Sequence, residues 1–431
     1  MGDGDVEKQN AGMDAGGMEF SVAGGEGLTA VKANLQSNYE LIMKNMLAHK
    51  EGFKDAADYL DYVKQVNGWI AEDYQKFLQD PMGLRLKDPE NPQKFRKQIL
   101  IECADGRNSL SLFIPADKLL GRFDLEWLPF AGNIIFPELT GMEQVNDVTD
   151  RLAEDEKMKK MFFERLDFLF GPAVDGAIKE YEAGKLGKIF IEFQSHFDSH
   201  SDHHGCGAHK SDLAAAQLET IKDCLIAEQW LKDRHPVEYQ KHLFKVFRTT
   251  HDTGENGHVY RADKIDREKL SAEARSKYAD LLDYSAKRYE SPVAYDEAAG
   301  IVKKYHGNPM EIATEEHDEQ TIRVSSLHQA STLTGQSVME ISWTDSPVTI
   351  AQHLMVLLGI IEKNYRARHP EKPAIIHFDL VKDNEKMAGV YRQVKAILDQ
   401  DEVIQRRKKE GTLIIVTTET DRDSYRLEEV Q

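Results

Sequence analysis

Apolar residues near the start of the chain follow a helical spacing. Between residues 28 and 80 they recur at steps of three and four, which places them on one face of a helix. The clearest stripe consists of Tyr59, Leu60, Tyr62, Val63, Val66, Trp69 and Ile70. Prolines between residues 81 and 92 then interrupt the pattern. We expect a helical domain over residues 28–94, preceded by a disordered tail over residues 1–27 that is rich in glycine and acidic residues.

From residue 95 onward the pattern changes to short apolar runs separated by helical segments. Residues 99–101 and 188–193 predict buried strands, and a further extended run over 125–135 is interrupted at Ala131-Gly132-Asn133. Residues 148–184 and 211–231 have helical spacing. Alternation of strands with helices is typical of an α/β fold with a parallel sheet, which we assign to residues 95–270.

A third unit, residues 290–431, repeats this alternation. A long helix over 348–369 precedes a strand at 374–378, and a helix over 385–398 precedes a strand at 412–416. The order echoes that of residues 173–231, although this unit contains no cysteine. The C-terminal domain is therefore expected to be α/β and could be a degenerate internal copy of the preceding one.

Composition and charge narrow the functional classes. The net charge of −19 disfavours nucleic-acid binding, which depends on clustered Lys and Arg. The basic run at residues 406–409 is better explained as a solvated helix end. No apolar stretch approaches the roughly 20 residues of a membrane helix. With no secretory signal and only three cysteines, we expect a soluble, cytoplasmic protein without a disulfide framework. A homo-oligomer is also expected.

Two of the cysteines lie in short patterns that suggest metal chemistry. Cys103 begins the sequence CADGR, in which Asp105 and Arg107 follow it closely. Cys206 lies within the histidine-rich run over residues 195–209. Thiolates and imidazole are the ligands that Zn²⁺ prefers, and a Cys₂His set leaves a fourth position open. The third cysteine, Cys224, lies in a predicted helix and is expected to be a core residue.

Both patterns follow predicted strands. In open parallel sheets, sites form in the crevice beyond the carboxyl ends of the strands. Two loops at that edge can meet although about a hundred residues separate them along the chain. The sequence therefore predicts a single site that contains both Cys103 and Cys206.

These residues together resemble the β-type carbonic anhydrases. The elements are Cys103, Asp105 and Arg107 on one loop, Ala131-Gly132-Asn133 after the next strand, a histidine of the cluster, and Cys206-Gly207 opening a helix; they cover about residues 95–235. The layout of three units is most similar to the carboxysomal and zeta-like branches. The resemblance implies a parallel-sheet β-carbonic-anhydrase-like core with a helical N-terminal domain and a degenerate C-terminal copy.

The resemblance also implies residue roles. Cys103, one histidine and Cys206 would bind Zn²⁺, or Cd²⁺ or another divalent metal, and the activity would be the reversible hydration of CO₂ to bicarbonate by a metal-activated hydroxide. Asp105 would orient that hydroxide, and Arg107 would hold Asp105 ionised through a bidentate pair. Gly132 and Asn133 would line the substrate pocket.

Two histidines compete for the third ligand position. A His-x-x-Cys-Gly spacing, common in the family, selects His203, whereas the longer loop of the divergent branches selects His196. We favour His196 because it directly follows the predicted strand. The remaining histidines, His200, His204 and His209, are expected to lie around the metal or in solvent.

Three other functional points stay open on the sequence. A hydrolase of CS₂ or COS could use the same chemistry. A structural zinc protein that binds a partner would instead close the site with two histidines, taken from His196, His200 and His203. The compartment also stays open: the cytoplasm is expected, while a carboxysome or another compartment is not excluded by the sequence.

Overall fold

The computed structural model describes two α/β units and one preceding helix. The described residues are 52–77, 87–88, 91–104, 125–139, 145–197, 206–209, 213–252, 259–261, 320–325, 339–421 and 426–430, with the single residues 272, 276 and 424. Asp105, Arg107, His200, His203, His204 and the tail over residues 1–27 lie outside them. The coarse prediction of an α/β class with parallel sheets is confirmed.

The first sheet is built around two long parallel strands in its centre. Its strands are β1 (Lys87–Asp88), β2 (Asn91–Cys103), β3 (Leu125–Phe130), β4 (Leu186–Phe197), β5 (Phe244–Asp252) and β6 (Val259–Arg261). Strands β3, β2, β4 and β5 are parallel in that order, while β1 and β6 are antiparallel additions. Because β2 is central although it comes early in the chain, the strand order reverses between β2 and β4.

Helices cover one face of this sheet. These helices are α2 (Val145–Glu154), α3 (Glu156–Leu169), α4 (Gly171–Glu182), α5 (Leu213–Arg234) and α6 (Pro236–Gln240). The first helix of the chain, α1 (Ala56–Phe77), does not pack on this sheet. Ile99, Ile101 and Phe193 of the sheet share one apolar core with Ile226 and Trp230 of α5. Each such buried side chain contributes roughly 1.5–3 kcal/mol, so this core fixes β2 and β4 against α5.

The second sheet has the same strand order as the first. Its elements are β7 (Thr321–Ser325), β8 (Met339–Ser342), α7 (Pro347–Ile361), β9 (Ala374–Val381), α8 (Glu385–Gln400), α9 (Glu402–Lys409), β10 (Leu413–Thr420) and β11 (Leu427–Glu429). Strands β8, β7, β9 and β10 are parallel in that order, and β11 is antiparallel at the end. Strands β2 to β6 therefore correspond one by one to β7 to β11.

The two units meet at equivalent edges. Strand β3, the outer parallel strand of the first sheet, lies against β8, the corresponding strand of the second. Ala104 and Ala131 of the first unit belong to the apolar core of the second. The C-terminal unit thus packs against the part of the first sheet where β2 and β3 end.

Helix α1 packs against the C-terminal sheet, at β10 and β11. Tyr59 Oη is hydrogen-bonded to His377 Nδ1 at 2.9 Å, and the amide N–H of Phe53 donates to Gln320 Oε1 at 2.6 Å. Of the predicted apolar stripe, Tyr59, Leu60, Tyr62 and Val63 are buried, as expected. In the region predicted as an N-terminal helical domain, residues 28–94, the described residues form helix α1 on the C-terminal sheet, together with β1 and the start of β2, which belong to the first sheet.

One predicted strand is much longer in the structure. The strand predicted at 99–101 extends from Asn91 to Cys103, because the polar residues Arg96 and Gln98 are buried and hydrogen-bonded within the sheet. The basic run ends helix α9, where positive charge suits the helix dipole. Among the described residues, no helix is both long and apolar enough to cross a membrane.

Candidate metal centre

The candidate site lies at the carboxyl ends of the two central strands. Cys103 is the last residue of β2, and His196 is the penultimate residue of the adjacent strand β4. Because the strand order reverses between these two strands, the crevice at their ends is the usual ligand position in an open α/β sheet. Cys206, which directly precedes the turn Gly207–His209, lies at the same strand ends.

Three potential metal ligands come together there. The ligand atoms of Cys103, His196 and Cys206 all lie within 4.8 Å of one another, and the two sulfurs are 3.8 Å apart. All three residues are buried, with 7%, 1% and 3% of their surface exposed. This Cys–His–Cys cluster could bind a metal ion. It contains both predicted cysteines and the favoured histidine, while the alternative, His203, lies outside the described residues.

The sulfur–sulfur distance fits a tetrahedral zinc site. Two thiolates at about 2.3 Å from Zn²⁺, separated by the tetrahedral angle, have sulfurs about 3.8 Å apart. The observed distance of 3.8 Å has this value. Two sulfurs and one imidazole nitrogen are also ligands suited to Zn²⁺ and its softer relatives. The donor set and its spacing therefore fit such a metal.

Protonation of the metal-free site follows from the proximity of the thiols. The hydrogen bond to Cys206, together with burial, raises the pKa of Cys103 well above its usual value, although the nearby His196 lowers it. The neutral thiol is therefore the stable form without a cation. Since thiols bind metals as thiolates, metal binding at this site would release protons.

The turn that follows Cys206 packs closely against the turn Ala131–Asn133. Gly132 has a φ of +67°, and a Cβ atom there would collide with Cβ of Ala208. His209 Nε2 donates a hydrogen bond of 2.7 Å to the carbonyl oxygen of Gly132. Burial lowers the pKa of His209, which favours the neutral imidazole. Gly132 therefore allows a backbone approach between two turns of the site.

Replacing Gly132 by alanine should disturb the site. A left-handed backbone costs a residue with a side chain roughly 1–2 kcal/mol, and the added methyl group must displace the turn that carries Ala208. We expect Gly132→Ala to weaken metal binding about ten-fold or more, as loss of supporting contacts does in metal sites. Competition with a chelator measures this affinity. Gly176→Ala in α4, where no atom lies within 4 Å of the new methyl, is the matched control and should leave it unchanged.

Asn133, the other predicted pocket residue, also has a left-handed backbone, with a φ of +57°. Its side chain is buried, and among the described residues neither its oxygen nor its nitrogen has a hydrogen-bond partner. A buried amide without a partner is costly. The residue thus stands in the turn that touches the ends of β2 and β4, with both polar atoms available for a small ligand.

The C-terminal unit supplies further residues around the site that the sequence analysis missed. The side chain of Ile360, in α7, lies on Gly207, where a Cβ atom would be 3.2 Å from Ile360 Cδ1. His353 of the same helix stacks edge-on against Phe130, with ring centroids 6.0 Å apart, and hydrogen-bonds the backbone of Ile134. Burial lowers the pKa of His353 to about 4, so it is neutral. No short motif marks either residue.

The prediction for the third cysteine can also be assessed. Cys224 is fully buried, and its thiol donates to the carbonyl oxygen of Phe247 at 3.6 Å, which confirms its place in the core. His377 of β9 is also buried, and its ring nitrogens are hydrogen-bonded to the hydroxyl groups of Tyr59 and Thr418. The predicted ion pair of Asp105 and Arg107 lies outside the described residues.

Comparison with known proteins adds no relative. No protein-family model matches the chain, and no curated protein matches it in sequence.

Proposed function

We propose that this protein is a metal-dependent carbonic anhydrase that converts CO₂ and water to bicarbonate reversibly. One observation carries the proposal: Cys103, His196 and Cys206 form a buried cluster with a sulfur–sulfur distance of 3.8 Å at the reversal point of a parallel sheet. Three protein ligands are the number that catalytic zinc sites use, because one position must stay open for the reactant.

A bound Zn²⁺ would supply Lewis acidity that makes water nucleophilic at neutral pH. Cys103 and Cys206 would hold the ion as thiolates, and His196 as a neutral imidazole. Their burial keeps bulk water away, which strengthens electrostatic interactions at the site. The turn at Gly132 and Asn133 brings polar backbone and an unpartnered amide to the same strand ends, where a small polar product could be bound.

Asp105 and Arg107 complete the proposal from the sequence. Asp105, two residues after Cys103, would accept a hydrogen bond from the attacking hydroxyl group and orient it toward CO₂. Arg107 would keep this carboxylate ionised and away from the metal ligands. Both roles rest on the resemblance to the β-type carbonic anhydrases and on the position of Cys103.

The test combines metal analysis with stopped-flow CO₂ hydration on one sample. We expect about one tightly bound divalent ion per chain and hydration far above the uncatalysed rate. The Asp105→Asn variant should keep the metal and lose activity about a hundred-fold or more, as removal of a group that handles a proton does.

Each other result has a distinct meaning. A well-folded preparation that neither contains nor takes up a metal would refute the proposal. Metal without hydration of CO₂ would favour the structural zinc protein, unless the same sample hydrolyses COS or CS₂. Full activity in Asp105→Asn would remove the role given to that carboxylate.

A further inference from the structure

We propose that Cys206 is held in its ligand position by a two-sided clamp, formed by His209 on one side and by Ile360 of the C-terminal unit on the other. Both are positioning residues: neither belongs to the Cys–His–Cys cluster, and both act on the turn Gly207–His209. The C-terminal unit, which has no cysteine of its own, would thereby be a working part of the metal centre. The inference rests on the metal-binding part of the proposed function.

The first side of the clamp is a hydrogen bond between two turns. His209 Nε2 donates to the Gly132 carbonyl oxygen at 2.7 Å, while the His209 amide donates to the Cys206 carbonyl oxygen at 3.1 Å. His209 therefore joins the backbone of the ligand Cys206 to the turn Ala131–Asn133.

The turn Ala131–Asn133 is itself fixed to Cys103. It follows β3 directly, and in the register of β3 with β2 Phe130 pairs with Cys103. The pairing continues one residue further, since the Ala104 amide donates to the Phe130 carbonyl oxygen at 2.7 Å. A continuous hydrogen-bonded path thus connects Cys206, through His209 and Gly132, to the strand that ends in Cys103.

The second side of the clamp is an apolar contact from α7. The Ile360 side chain lies on Gly207, the residue after Cys206. It is so close that a Cβ atom added to Gly207 would be 3.2 Å from Ile360 Cδ1. Helix α7 is anchored in the C-terminal core through Leu354, Leu357 and Ile361. It also contacts the turn Ala131–Asn133, and its His353 hydrogen-bonds the backbone of Ile134. One helix therefore supports both turns of the site.

The clamp matters because the ligand geometry tolerates little movement. The two sulfurs must be about 3.8 Å apart to share a tetrahedral ion, and Cys206 belongs to a turn rather than to a strand. If either support is removed, the turn samples more positions and the ligand set is less preorganised. Loss of a supporting contact in metal sites weakens affinity about 10- to 100-fold.

The experiment measures Cd²⁺ affinity of the full chain by competition with a chelator. We expect His209→Ala and Ile360→Ala each to weaken binding about ten-fold or more. His209→Gln, which keeps an N–H donor, should recover most of the loss. Val356→Ala is the matched control for Ile360→Ala, because Val356 is an exposed apolar residue of the same helix, and it should bind as the unmodified chain does.

A second readout reports the geometry directly. With Co²⁺ as the probe, the thiolate-to-metal absorption band should change in His209→Ala and Ile360→Ala but not in His209→Gln or Val356→Ala. Thermal unfolding of the metal-free variants shows whether the fold is intact. Unchanged Cd²⁺ affinity and an unchanged Co²⁺ band in both alanine variants would overturn the clamp.

Failure of the clamp and failure of the proposed function are distinguishable. A chain that binds Cd²⁺ and shows these losses, yet does not hydrate CO₂, supports the clamp and refutes the activity. A chain that binds no Cd²⁺ refutes the metal centre. The clamp is then tested on the two thiols without a metal, through the rate at which they form a disulfide. Hydrogen peroxide converts the two thiols to one disulfide with release of two waters. This Cys103–Cys206 closure should be slower in both alanine variants than in Val356→Ala, and equal rates would refute the clamp.

Discussion

Replacing Cys103 or Cys206 by serine should abolish both tight metal binding and CO₂ hydration. Each cysteine contributes one of the two sulfurs that lie 3.8 Å apart, and each is almost fully buried. A serine hydroxyl is a hard, neutral oxygen that cannot replace a thiolate on a soft ion. With one sulfur and one imidazole left, the ion has too few ligands to be retained. Hydration should therefore fall to the uncatalysed rate, with metal content near zero.

Cys224→Ser is the matched control for these two variants. Cys224 is also buried, but it lies in helix α5 and its thiol donates to a backbone carbonyl of β5. The serine hydroxyl can make the same hydrogen bond, so metal content and hydration should stay at the level of the unmodified chain. Elemental analysis and stopped-flow hydration on the same samples decide the matter. Serine variants of Cys103 and Cys206 that keep full metal content would contradict the site.

The strand-end residues of the site could be predicted from local pattern. Cys103 follows the apolar run over residues 99–101, and His196 follows the run over 188–193. The local pattern therefore indicated that both residues lie at the carboxyl ends of strands. The pairing of β2 with β4 then brings them together. Cys206 follows a histidine-rich loop rather than a strand, and its position depends on Gly132 and Ala208, which no periodic pattern connects.

The contribution of the C-terminal unit could not be predicted. Ile360 lies more than 150 residues after Gly207, in a helix whose apolar pattern indicates burial but not its neighbour. Likewise, the stripe of α1 predicted a buried face, yet its partner is the C-terminal sheet, reached through Tyr59 and His377. Long-range packing of this kind depends on the shapes of surfaces that local sequence does not encode.

The two units use the same strand order but hold different polar groups on their central strands. In the first sheet the ends of β2 and β4 carry the Cys–His–Cys cluster. In the second, the corresponding strands β7 and β9 carry Arg323 and Asp379, which form a fully buried ion pair. Asp379 also accepts hydrogen bonds of 2.9 Å from the hydroxyl groups of Thr418 and Thr420 in β10. The second sheet thus joins three strands with a charge network, whereas in the first sheet two strand ends and a turn meet at the Cys–His–Cys cluster.

Asp379→Ala should therefore destabilise the C-terminal unit strongly. Removing one partner of a buried ion pair costs about 3–5 kcal/mol. Arg323 would lose its hydrogen-bonded carboxylate and keep the attraction of Glu340, and two threonine hydroxyls would lose Asp379 as their acceptor. Because α7 packs on β7 and β8 of this sheet, metal affinity in the first unit should fall together with the loss of stability. Urea denaturation and Cd²⁺ titration of the same variant measure the two effects.

Asp399→Ala is the control for Asp379→Ala, since it removes an aspartate of the same charge from an exposed pair. Asp399 forms ion pairs with Lys395 within helix α8, at 2.6 Å, and with Lys408 of α9, at 3.2 Å, and all three side chains are solvent-accessible. Exposed pairs contribute about 0–1 kcal/mol, so its stability and Cd²⁺ affinity should stay near those of the unmodified chain. If Asp379→Ala lowers stability but leaves Cd²⁺ affinity unchanged, the C-terminal unit folds without supporting the metal centre. If both fall, the second sheet supports the Cys–His–Cys cluster of the first unit through α7.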